Sequence, residues 1–342
     1  MKIKQEKQGF SFIRHKIKSS LYRIGQKAIA SVYNYIPKPN LIYIIRPVIV
    51  ITRICNANCV FCVYQFLPDS ERVHMPNDVF ENTVRAIKAA NIKAVSVTSN
   101  SGEPLLVSDI LDKIKALRDA GVEKIHMGTN AILLDRVGIK RFLEEGPDYI
   151  YISTTAFDPD MYKRLYRSDQ YERMRDNIMN LLQENSRIEK RRFIAILIRS
   201  DIEPEKVYAM PATQKIILLA DKIEIRQEYN DCCGVITPAI LPKGMKIMKP
   251  RIKTNRPCHV LMQFPAIYPN GDIAACACQN YNADKDMYLG NVNNGDFIQA
   301  IDNLSKIIES WKHGWRPQTC NSCSMYSDPA LYWPTYIRAF VK

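Results

Sequence analysis

The chain has 342 residues, enough for one large α/β domain and a smaller one, and its 46% hydrophobic share is ordinary for a globular protein. It carries ten cysteines, and residues 1–30 hold no apolar leader or cleavage site, so a reducing, cytoplasmic setting is expected, where clustered thiols serve metals or redox chemistry rather than disulfides. The net charge of +13 leaves membrane surfaces and acidic substrates open; no zinc-finger, RRM or OB signature is present, so no nucleic-acid partner is expected.

Much of the charge excess lies at the start. Residues 1–27 hold eight Lys and Arg against Glu6, while Phe10, Ile13, Ile17, Leu21 and Ile24 fall on one helical face. Residues 10–36 therefore read either as a helix docked on the main domain with a solvated basic face, or as an amphipathic segment lying peripherally on an anionic membrane. The apolar run LIYIIRPVIVI, residues 41–51, is about half the length of a spanning helix and is interrupted by Arg46 and Pro47.

From residue 46 a rhythm begins. Strand composition at 47–53, 94–100, 124–130, 149–154, 193–199 and 222–228 alternates with helical periodicity at 75–92, 107–121, 134–146, 159–186 and 204–220, the last broken near Pro211. Asn77 and Ser108 read as helix starts, and Gly121 and Gly146 as stops. Six such units predict an α/β fold, a partial (β/α)6 TIM-like barrel, with ligand chemistry at the C-terminal ends of its strands. The expected organisation is a basic extension over 1–45, the barrel over 46–230 and a small α+β domain over 231–342. In the last part PAIYPNGDIAA, residues 265–275, reads as a hairpin turning at Asn270-Gly271.

The cysteines are grouped. CNANCVFC, residues 55–62, spaces three thiols C-x3-C-x2-C in the loop after the first strand. A structural zinc site takes four ligands, and a four-iron cluster takes one thiolate per iron. Three thiolates therefore borrow a distant ligand or leave one metal corner open. Further on stand Cys232-Cys233, Cys258, Cys276, Cys278 and Cys320-x2-Cys323.

CNANCVFC in this position resembles the signature of the radical S-adenosylmethionine (SAM) superfamily. The resemblance implies that Cys55, Cys59 and Cys62 hold a [4Fe–4S] cluster whose open iron binds SAM, with Phe61 near the adenine. It implies reductive cleavage of SAM to a 5′-deoxyadenosyl radical that abstracts hydrogen from substrate, with a flavodoxin or ferredoxin as electron donor. Ser101-Gly102-Glu103-Pro104 resembles the family's GGEP turn, with Ser101 for the first glycine, and implies a SAM amino-group site. Thr129-Asn130 resembles the T-N-G strand end, with Ala131 for glycine. Ser153 resembles the serine that contacts SAM, and Arg167 the arginine that pairs with its carboxylate.

The C-terminal part resembles the twitch/SPASM auxiliary-cluster domain. Cys258-x12-Gly271-x4-Cys276 fits its opening, and Leu289-Gly290-Asn291 its following turn. Pro329 stands where a full SPASM domain has its next cysteine, so one auxiliary [4Fe–4S] cluster on Cys258, Cys276, Cys320 and Cys323 is implied, as in the shorter twitch form. A zinc site remains the competing reading of these four.

Around these groups the readings stay paired. Cys232 and Cys233 are plain core cysteines or hydrogen donors to a substrate radical. Cys278 is a buried free thiol or an alternative ligand. Arg226, Gln227 and Glu228, ending the sixth strand, are candidates for substrate contact by position. His126 reads as a core histidine rather than a base, Trp311 and Trp315 as packing around the second cluster, and Tyr64 as packing or site lining. The expected reaction is dehydrogenation of a secondary alcohol on a sugar, aminocyclitol or nucleotide- or lipid-linked glycan, with an electron passed to the auxiliary cluster. The alternatives are epimerisation, with a Cys232 or Cys233 thiol as hydrogen donor, and modification of a ribosomal precursor peptide; a non-enzymatic iron–sulfur scaffold or sensor is the fourth class.

Overall fold

The computed structural model describes residues 41–98, 101–232, 234–249, 255–277 and 285–332. The basic segment 10–36, Cys233 and Cys278 lie outside the described residues.

Six parallel strands run in chain order across one sheet: β1 (Val48–Ile49), β2 (Ala94–Val97), β3 (Lys124–Thr129), β4 (Tyr149–Thr155), β5 (Phe193–Arg199) and β6 (Lys222–Arg226). The inner strands are near-continuous apolar runs such as FIAILIR, because helices cover one face and barrel side chains fill the other. The connecting helices are α1 (Asn77–Ala89), α2 (Ile110–Asp119), α3 (Leu134–Val137) with α4 (Ile139–Glu145), α5 (Pro159–Tyr166) with α6 (Tyr171–Arg187), and α7 (Pro204–Ala209) with α8 (Pro211–Ile217). In α1 the buried residues Val79, Phe80, Thr83 and Ile87 form the stripe that its periodicity predicts.

Two expected helices are split. Gly138, at φ +86°, separates α3 from α4, and Arg167, at φ +49°, ends α5. The second break has a cause in the cysteine loop. The carbonyls of Leu165 and Tyr166, left without helical partners at the end of α5, accept N–H bonds from Val60 (2.9 Å) and Asn58 (3.2 Å). The sixth strand also stops earlier than its composition suggests, with Glu228–Tyr229 forming a separate β7 that pairs with β8 (Lys246–Ile247).

Among the described residues the sheet does not close; it is a partial barrel. On the other side of β1 lies β9 (Ala266–Ile267), parallel to it, followed by β10 (Asp272–Ala274) and β11 (Tyr288–Asn291) in antiparallel order. The β9–β10 hairpin turns at Gly271, φ +89°, where a Cβ would meet the side chains of Asn291 and Asn293 at 2.5–2.6 Å. Helices α9 (His259–Gln263), α10 (Phe297–Lys312) and α11 (Gln318–Asn321) complete this part, whose residues share one hydrophobic core with the barrel. Among the described residues no helix is long and apolar enough to cross a membrane.

Candidate active site

A cavity of about 350 Å³ opens at the C-terminal ends of the barrel strands, within the usual size range for small-ligand sites. Its lining brings together, from six stretches of loop and strand end, the predicted site residues Cys55, Cys59, Cys62, Phe61, Ser101, Gly102, Glu103, Asn130, Ser153, Arg226, Glu228 and Cys232.

The cysteine loop is held from several sides. Besides its bonds to α5, Gln65 donates from Nε2 to the carbonyls of Val60 (2.9 Å), Cys62 (3.1 Å) and Cys59 (3.4 Å). The Tyr64 hydroxyl donates to the Cys55 carbonyl at 3.2 Å, and its backbone N–H to Cys62 Sγ at 3.4 Å. Tyr64 is therefore a support of the loop and is absent from the cavity lining. Burial pushes the Cys55 thiol up to about 12; Cys59 and Cys62 are also raised, with burial the main cause and the Arg199 charge partly offsetting it. Free thiols here would stay protonated at neutral pH, whereas a bound metal deprotonates a coordinating thiol outright.

The SGEP turn is built by close approach. A Cβ on Gly102 would stand 2.2 Å from the carbonyl oxygen of Thr52, so only glycine lets this turn lie against the strand that leads into the cysteine loop. The Glu103 carboxylate is buried and fully used: it accepts from Leu105 N–H (3.1 Å), Thr129 Oγ1–H (2.7 Å) and Asn130 N–H (2.7 Å). Burial raises its pKa to about 7 against the pull of these donors. Its evident work is to fix the Thr129-Asn130 strand end. Asn130 in turn donates to Asn56 Oδ1 at 2.7 Å, tying that strand end to the cysteine loop. Ala131, where the family's pattern has glycine, holds φ +65°.

Ser153 bonds the Tyr166 hydroxyl at 2.7 Å. Arg167 stands elsewhere: it is exposed, is not in the lining, and donates to Gln65 Oε1 at 3.1 Å. The cavity instead holds Arg199 from the end of β5, which the sequence reading passed over. Its guanidinium lies 5.2 Å from the Phe61 ring and 5.6 Å from the Tyr229 ring, which stack on each other at 5.1 Å. The strand end itself was legible; that its side chain faces the cavity depends on sheet register, which composition does not carry. His126 is a buried core residue, stacked on Tyr149 at 4.2 Å and bonded to Arg46 and Tyr151.

The second cysteine group also converges. Cys258, Cys276, Cys320 and Cys323 line one small buried pocket with Trp311 and Tyr326. Ser327 N–H donates to Cys258 Sγ at 3.4 Å, and Met325 N–H to Cys323 Sγ at 3.3 Å. The Trp311 indole N–H is buried with no acceptor among the described residues. Four thiols, donors directed at sulfur and an orphaned N–H are the chemistry that an iron–sulfur group satisfies. Trp315, expected beside it, is 50% exposed and not in the lining. Among the described residues no group of three or more Cys, His, Asp or Glu converges on a single ion position; a four-iron cluster, with one thiolate per iron, does not require that convergence.

Residues 49–209 match the family model of the radical SAM superfamily, and this stretch of the chain is a radical SAM domain. The cofactors of that domain are a [4Fe–4S] cluster and SAM, and the cavity's three thiols, glycine turn and polar strand ends fit them. Among curated proteins, similarity is found to probable GTP 3′,8-cyclases of Sulfurisphaera tokodaii (27% identity, over 43% of this chain and 45% of that protein) and Methanocaldococcus jannaschii (21%, over 70% and 81%). The chain thus spans under half the length of the first of these relatives. Among solved structures the fold resembles BtrN in complex with AdoMet and 2-DOIA (TM-score 0.51, 11% identity, 81% of this chain and 92% of that one). It also resembles Streptococcus suis SuiB (0.56, 18%, 82% and 70%) and anSMEcpe with bound AdoMet (0.53, 14%, 86% and 96%).

Proposed function

We propose that the chain oxidises an alcohol carbon of a small carbohydrate-type or nucleotide-linked molecule by two electrons. The cofactors, when bound, supply a SAM-derived hydrogen-abstracting radical at the first cysteine site and an electron acceptor at the second. In the net reaction the alcohol loses one hydrogen atom, one proton and one electron and becomes a carbonyl. The observation that carries this reading is Met325. It lines the main cavity, and its own backbone N–H donates to Cys323 in the four-cysteine site, so a single residue spans the two. Cys55, Cys59 and Cys62 would hold the SAM-binding cluster, and Ser101, Gly102, Asn130 and Ser153 would shape the SAM site, with Glu103 fixing Asn130. Glu228, exposed at the mouth, and Arg226 are the groups placed to take or steer the proton. The relatives named GTP 3′,8-cyclases support keeping nucleotides within the substrate class.

Anaerobic reconstitution tests this. Two four-iron clusters give about 8 iron per chain, and about 4 in the Cys55/Cys59/Cys62→Ala triple variant. The product should be two hydrogens lighter than the substrate. About 4 iron in the wild type and none in the variant would remove the electron acceptor and with it the oxidation.

A second reading rests on Cys232, which lines the cavity at φ +48° with its N–H bonded to Asn230 Oδ1 at 2.6 Å. If its thiol returns a hydrogen atom, the reaction is an epimerisation. The product then keeps the substrate's mass and carries a solvent hydrogen that Cys232→Ala abolishes.

A further inference from the structure

Arg199 and Arg226 are Cα partners in the parallel pairing of β5 with β6, and both line the cavity. Like charges set directly opposite on neighbouring strands repel, and a half-buried cation without a counter-charge is costly. Arg226 is compensated within its own strand, where its Nε donates to Glu224 Oε1 at 2.5 Å. Arg199 is not. Among the described residues no carboxylate pairs with it; its contacts are Ser153 Oγ at 3.4 Å and the faces of Phe61 and Tyr229. Of the two glutamates in the lining, Glu103 has both oxygens engaged by Leu105, Thr129 and Asn130, and Glu228 is exposed on β7.

We propose that Arg199 and Arg226 form a seat for an oxyanion, a carboxylate or phosphate group bound inside the cavity. The two aromatic rings hold the plane of the Arg199 guanidinium, and a guanidinium fork matches both kinds of oxyanion in bidentate geometry. With Arg226 already balanced by Glu224, the anion offsets the remaining positive charge of Arg199 at the end of the sheet. The occupant is an anionic group on the substrate; the carboxylate of SAM is the competing occupant that the test separates from it. The inference rests on the reading of this cavity as the place where SAM and substrate meet.

The test is a binding measurement, not a turnover. The full chain is reconstituted anaerobically, and inorganic pyrophosphate is titrated calorimetrically with and without saturating SAM; SAM is titrated separately. Wild type is compared with Arg199→Gln, Arg226→Gln and Arg199→Lys. If the seat serves the substrate, pyrophosphate binds alongside SAM and both glutamine variants weaken it at least tenfold, while SAM affinity stays within twofold. If pyrophosphate instead competes with SAM, and Arg199→Gln weakens SAM at least tenfold, the seat belongs to SAM and the proposal is overturned. Arg199→Lys, which keeps the charge but loses the fork, is expected to fall between wild type and Arg199→Gln for pyrophosphate. The proposal is overturned if neither ligand's affinity moves more than twofold in either glutamine variant at wild-type iron content. Should Arg199→Gln lose iron, Arg226→Gln and Arg199→Lys decide the matter by the same criteria. Failure of the underlying reading shows separately, as absence of 5′-deoxyadenosine from SAM and dithionite.

Discussion

His126, read from the sequence as a core histidine rather than a base, is a core residue in the fold. It is 7% exposed, stacked on Tyr149, and within 3.1 Å of the Arg46 guanidinium. Burial, then the charges of Arg46 and Lys124, push its pKa down to about 3. The folded value lies below the unfolded one, near 6.5, so the stabilisation is fully present above pH 6.5 and is lost as pH falls toward 3. At pH 5 the loss is on the order of 2 kcal/mol, from about 1.5 units at 1.36 kcal/mol each. Urea unfolding at pH 7.5 and pH 5 should show wild type losing clearly more stability than His126→Gln; equal losses would mean the histidine is not held neutral. Residue identities at the site divide in the same way. The thiols, the glycine of the SGEP turn and Glu103 were legible because their spacing is local. Arg199 was not, because its place depends on a cross-strand register, and Arg167, expected at the SAM carboxylate, donates to Gln65 just outside the cavity lining.

At the scale of elements, the cysteine loop is the segment whose shape has to be maintained. It carries no regular structure beyond a short turn after Cys62, and its carbonyls are gathered by one side chain, Gln65, whose own oxygen accepts from Arg167. Each such bond contributes roughly 1 kcal/mol, and the set fixes three carbonyls at once. Gln65→Ala should therefore leave the global melting temperature within a few degrees yet speed loss of the visible cluster absorbance on exposure to air severalfold. Unchanged decay would mean that the α5 carbonyls alone hold the loop. Element types and order followed from periodicity; the ends did not. Helix α5 stops at Tyr166 because its last carbonyls are claimed by Asn58 and Val60, more than a hundred residues away, and no local signal announces that.

For the whole molecule, the informative contact is between the two halves of the chain. Arg46, Val48 and Val50 donate their backbone N–H groups to Gln263, Pro265 and Ile267 at 2.7–2.9 Å, so the first barrel strand is an inner strand of a longer sheet. A chain cut to residues 41–230 would expose β1 as an apolar edge, which invites pairing with other chains. Such a fragment should elute as oligomer or aggregate in size-exclusion chromatography while the full chain does not; a monomeric, cooperatively folding fragment would show that the barrel stands alone. The rhythm of six strand–helix units was readable from composition, but the backward pairing of β9 onto β1 was not, since it joins residues more than two hundred positions apart. That pairing also bears on how such a protein can diversify. The C-terminal half is not a cassette: its backbone is part of the ladder that positions the cysteine loop, so replacing it wholesale would move both thiol sites together. New specificity is more accessible through the loops at the cavity mouth, which can change while the ladder stays as it is.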